Sequence, residues 1–77
     1  MVFVTETSAR LTLRQRSVLR LLARGESDKQ IGHRLHIVER TVRLHIAGIE
    51  AALGARNRTH AVALACLRRE LEPRDLA

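Results

Sequence analysis

The chain is 77 residues long, with 45% apolar and 29% charged residues, which allows one small globular domain. At this size roughly 60% of the unfolded surface can be buried, so a deep cleft between two domains is excluded. Fourteen Lys and Arg against eight Asp and Glu give a net charge of +6, a balance that suits a polyanionic partner, either nucleic acid or an anionic membrane face.

Cys66 is the single cysteine, which rules out an internal disulfide framework and a multi-cysteine zinc site. No apolar run approaches the roughly 20 residues that cross a bilayer, and the N-terminus lacks the zones of a signal peptide. The expectation is a cytoplasmic chain with a reduced thiol. Charge is uneven: residues 1–26 carry five basic and two acidic groups, residues 27–60 six and three, and residues 61–77 three of each.

Phe3 is the one aromatic residue, and alternation of period two is scarce after the first few positions, so the reading is an all-helical domain. Residues 1–10 read as a flexible N-terminal segment. The first helical segment begins at Thr12, where Thr12 and Gln15 fit a capping box. Val18, Leu19 and Leu22 share one face, and Gly25 ends the segment as a left-handed C′ residue. Ser27 and Gln30 repeat the capping box, and Ile31 and Leu35 give the second segment a short apolar stripe.

His36, Ile37 and Val38 form a tight turn into a third segment. Val42, Ile46, Ile49 and Leu53 recur there at helical spacing, and Gly54 closes it. Asn57 is a good N-cap for a fourth segment reaching about Arg69. Residues 70–77 read as a frayed, unpatterned tail.

A short helix, a three-residue turn and a longer helix over residues 27–53 are the parts of a helix-turn-helix. Gly32 lies where two steeply crossing helices need a small side chain, and Ile31, Leu35, Ile37, Val42 and Ile46 are spaced to share a core. The opposite face of the third segment presents Glu39, Arg40, Arg43, Leu44 and Ala47, a row able to lie in a major groove about 12 Å wide. Arg43 can bond guanine O6 and N7, and Leu44 can pack on a thymine methyl. Backbone N–H groups at Ser27, Asp28 and Lys29 can face a phosphate. The plain alternative for these arginines is a solvated helix face.

Leu11, Thr12, Arg14, Val18, Leu19, Leu21, Ala23, Gly25, Ser27, Lys29, Ile31, Leu35 and Ile37 together resemble the LuxR-type (GerE- and NarL-like) DNA-binding domain. Thr41-Val42-Arg43-x-His45, Leu53-Gly54 and Arg58-x-x-Ala61-Val62 extend the resemblance over residues 11–65. It implies a four-helix domain, bounded here at about 11–69, that dimerises on double-stranded DNA and regulates transcription. Such domains often serve as output modules of two-component response regulators or quorum-sensing regulators. By position, the resemblance makes Arg43 the base-reading residue and Leu44 its neighbouring groove contact. It places Thr41, Lys29 and Arg40 on the DNA backbone; Ser27, Ala47 and Arg58 complete the expected DNA-binding set.

Several positions depart from the family pattern. Leu13 and Gln15 replace a proline and a glutamate in the first turn. Asp28 replaces an asparagine and sets a negative charge beside the presumed phosphate, which should weaken binding. His36 stands where the turn commonly has glycine; histidine can enter the left-handed region at a cost of about 1 kcal/mol. Val38 replaces the capping serine of the recognition helix, again a loss of about 1 kcal/mol. Ala47 and Ala52 leave the groove face less charged than is usual.

The fourth segment carries the unbroken apolar run 61–67. One face can pack on the core, and the rest meets water unless a second copy covers it, so Val62, Ala63 and Cys66 are expected at a homodimer interface. The alternative is that exposed alanines cost little. Cys66 on such a helix also fits an inert buried thiol. His33 and His36 lack a third ligand for metal, and His45 fits a packed histidine at the edge of the core stripe. No catalytic constellation, cofactor motif or small-molecule site is visible. The reading is a sequence-specific DNA-binding regulator with no enzymatic activity. Its rivals are a sigma-factor-like promoter reader and a degenerate helix-turn-helix that binds another protein.

Overall fold

Two capping boxes set the first helices. Residues 11–77 are described by a computed structural model, in which α1 spans Leu13–Ala23 and α2 spans Asp28–Leu35. The Thr12 N–H donates to Gln15 Oε1 and the Gln15 N–H donates back to Thr12 Oγ1, both at 3.0 Å. Ser27 and Gln30 make the same reciprocal pair at 2.8 and 3.1 Å. Helix α3 spans Glu39–Leu53 and α4 spans Arg58–Leu67, capped by the Asn57 side chain. One 3₁₀ turn, Pro73–Leu76, follows. The described residues contain no strand, so the fold is all-α with four helices, as the sequence indicated. The flexible segment expected at residues 1–10 lies outside the described residues.

Helix α3 is the central element and packs against α1, α2 and α4. Its stripe of Val42, Ile46, Ile49 and Leu53 is buried with Leu11, Val18 and Leu19 from the α1 side and Ile31 from α2. Ala61 and Ala65 of α4 complete that side of the core. Full burial of each branched aliphatic side chain contributes about 1.5–3 kcal/mol, which holds α3 rigidly along its inner face.

The turn between α2 and α3 depends on two residues. His36 takes φ +60° and ψ +43°, the left-handed conformation its place in the turn demanded. The chain then folds back so that the Ile37 N–H donates to Gly32 O at 2.9 Å. A Cβ on Gly32 would lie 2.6 Å from Ile37 O, so the small residue is required by the backbone of the turn itself. Val38 provides no side-chain cap for α3, as expected, although its carbonyl accepts from Thr41 and Val42.

The C-terminal residues differ from the frayed tail read from the sequence. Arg69 at φ +62° turns the chain after α4, and Leu71 is buried in the core. Arg16 pairs with Glu70 at 2.7 Å, Arg20 pairs with Asp75 at 3.4 Å, and Arg24 Nε donates to the Asp75 carbonyl at 2.9 Å. The arginines at 16, 20 and 24 recur every four residues along α1, so one acidic segment can engage them in series. The buried-thiol reading of Cys66 is also corrected: Ala61 and Ala65 take the inward positions of α4, which leaves Cys66 exposed.

Candidate nucleic-acid interface

With its apolar stripe turned inward, α3 presents the opposite face to solvent. Glu39, Arg40, Arg43, Leu44 and Ala47 are all exposed, and Thr41 is half-buried. Leu44 keeps 65% of its surface in water, which leaves an apolar side chain beside Arg43 on the outward face. The Arg43 side chain is 56% exposed, and its contact with Glu39 four residues earlier is a loose 4.0 Å. An exposed pair of this kind contributes little, so the Arg43 guanidinium is free to exchange Glu39 for another acceptor. Fifteen helical residues give a straight rod of about 22 Å, fixed from behind by the core.

Helix α2 begins beside this rod. Lys29 is exposed, and Glu39 shares a shallow open groove with Lys29, Gln30 and His33. Ser27 is engaged in capping, with its hydroxyl oxygen accepting from Gln30. Asp28 is held by a residue thirty positions away in the chain. Arg58 Nη1 donates to Asp28 Oδ1 at 2.6 Å and Nη2 to Oδ2 at 3.4 Å, tying the start of α4 to the start of α2.

The Asp28 hydrogen bond raises the Arg58 pKa above its ordinary value, against an opposing effect of burial, so the guanidinium stays charged. The bare negative charge expected at Asp28 is therefore countered within the fold. Arg58, expected among the DNA contacts, is engaged with that carboxylate.

One further close ion pair lines the same groove, and the rest lie on α1. Arg34 meets Glu26 at 2.7 Å, and the paired α1 arginines face the C-terminal segment. Lys29 and Arg40 enter none of the ion pairs among the described residues, which leaves both cations available to an outside anion. The Asp28–Arg58 bridge was missed from the sequence because thirty residues separate its partners and no helical periodicity relates them.

The fold is shared with known proteins. The family model for bacterial regulatory proteins of the luxR family matches residues 9–65. The chain belongs to the luxR family. The solved structure of the transcription factor GerE superposes with a TM-score of 0.77 and 39% identity, covering 80% of this chain and 92% of that one. The transcriptional activator protein BjaR1 of Bradyrhizobium diazoefficiens is 47% identical over 66 residues, 86% of this chain and 27% of its own length.

The DNA-binding transcriptional activator DevR/DosR of Mycobacterium tuberculosis is 38% identical over 66 residues, 84% of this chain and 30% of its own length. The chain thus spans between a quarter and a third of these curated relatives. It is a luxR-family helix-turn-helix domain, the DNA-binding kind found in transcription regulators.

Proposed function

We propose that this luxR-family domain binds double-stranded DNA sequence-specifically, with α3 in the major groove, and thereby regulates transcription. The exposed Arg43, held only loosely by Glu39, and the exposed Leu44, on a rod fixed from behind, carry this reading. Arg43 reads a guanine edge and Leu44 packs on a neighbouring thymine methyl, while Ala47 lets the helix approach closely. Ser27, Lys29, Arg40 and Thr41 grip the backbone and set the register. The role is binding, with no catalysis or cofactor, and its place is the nucleoid in the bacterial cytoplasm. No helix among the described residues is long and apolar enough to cross a membrane.

Lys29 supplies the cheapest test of the backbone role. Lys29→Ala is expected to weaken every duplex alike and to lower the slope of log K against log salt by about one. A gel-shift titration at several salt concentrations reads both quantities. An absence of salt-dependent duplex binding would instead support a protein-interaction module.

We further propose that two copies pair through α4. Ala63, Cys66 and Leu67 are exposed, Leu67 at 79%, and Val62 is only partly covered by the core. Two-fold pairing would bury this stripe and set half-sites about one helical turn apart, roughly 10 bp. Sedimentation equilibrium should show mass rising from 8.7 kDa towards twice that value with concentration. A constant monomer mass at high micromolar protein would contradict the pairing.

A further inference from the structure

Three carboxylates stand near the start of α2 and the outer face of α3, and the fold treats them differently: Glu26 is paired with Arg34 at 2.7 Å. Asp28 is largely covered, with 16% of its side chain exposed, and is held by Arg58 at 2.6 Å. Glu39 is 50% exposed, and its nearest cation is Arg43 at 4.0 Å. Asp28 and Glu26 are neutralised by close arginines, and Glu39 keeps only a loose, exposed contact in the outward row of α3.

A free carboxylate there is repelled by the phosphates of any duplex, whatever its sequence. That repulsion can be offset only where a base edge offers it a donor. In the major groove, guanine O6 and N7 and thymine O4 are acceptors, and adenine sets its N7 acceptor beside its amine. Cytosine N4 offers a donor that a carboxylate can accept from. Glu39 and Arg43 lie four residues apart on one helix face, about 6 Å along the axis, which corresponds to within two base-pair steps.

We propose that Glu39 is a specificity-determining residue that accepts from cytosine N4 within two base pairs of the guanine read by Arg43. This rests on the major-groove reading above. When Arg43 turns to guanine it leaves Glu39, and the loose pair of the free protein is exchanged for two base contacts. Glu39 thus lowers affinity for mismatched DNA and restores it at a cytosine.

Selection of bound duplexes from a random pool, run on the wild-type chain and on Glu39→Gln, Glu39→Ala and Arg43→Ala, tests this. The wild-type consensus should hold a cytosine preferred about 5- to 20-fold beside the Arg43 position. Glu39→Gln should move that preference to adenine, whose N6 and N7 suit an amide. Glu39→Ala should flatten it to under about 2-fold while raising affinity for unselected duplexes about 3-fold, because a repulsive charge is gone. Circular dichroism melts confirm that these surface variants remain folded, and either variant alone decides the matter.

An unchanged consensus in both Glu39 variants, with the guanine position lost in Arg43→Ala, would overturn the role of Glu39 and leave major-groove binding intact. A wild-type pool without any consensus would overturn both.

Discussion

Gly32→Ala is expected to destabilise the domain by about 1–3 kcal/mol, even though alanine is the better helix former by about 1 kcal/mol. The added methyl group would lie 2.6 Å from Ile37 O, a backbone atom in the turn. That carbonyl cannot retreat cheaply, because the Ile37 N–H is bonded to Gly32 O and His36 is already in the left-handed region. Steric overlap therefore outweighs the gain in propensity.

For a domain of this size, with total stability on the order of 5 kcal/mol, such a loss is a large fraction. Gly48→Ala provides the contrast. Its Cβ would meet only the Gln15 Nε2 at 2.9 Å, the end of a side chain whose displacement costs at most its capping bond to Thr12, so a change of about 1 kcal/mol or less is expected. Urea unfolding of the two variants measures the difference, and equal midpoints would contradict the turn-based account.

Arg43→Ala is expected to cost about 1–3 kcal/mol of binding at one base pair and to relax the preference there. The reason is geometric. Arg43 sits on the exposed face of α3 with only Glu39 nearby at 4.0 Å, so its removal leaves the core and the helix untouched. The loss should appear on duplexes carrying the preferred guanine and nearly vanish on duplexes lacking it, in contrast to the uniform loss expected from Lys29→Ala. Fluorescence anisotropy with matched and single-substituted duplexes separates the two patterns. Equal losses for both variants on all sequences would reject the division between reading and gripping.

The parts of the structure that local chemistry controls could be read from the sequence. Thr12 with Gln15 and Ser27 with Gln30 announce two helix starts because their hydrogen bonds reach only three residues. His36 announces its left-handed turn by position, and the 3.6-residue spacing of Val42, Ile46, Ile49 and Leu53 separates the inner and outer faces of α3. The legible part of the interface is accordingly the row on α3.

Features made by distant residues were not legible. Leu71 is an isolated apolar residue among charges, and nothing local shows that it enters the core. Asp75 finds the α1 arginines from more than fifty residues away, as its carbonyl bond with Arg24 shows. Asp28 reads as a liability on its own, and its meaning changes once Arg58 reaches it across the fold.

The central claim is that DNA lies against the outer face of α3. The most direct measurement is an amide nitrogen–proton correlation spectrum of the labelled domain titrated with duplex DNA. Shifts concentrated at Lys29 and residues 39–47, with little change along the α1 face covered by Glu70 and Asp75, are expected. Shifts concentrated on that α1 face, or a spectrum left unchanged at saturating duplex, would contradict the account.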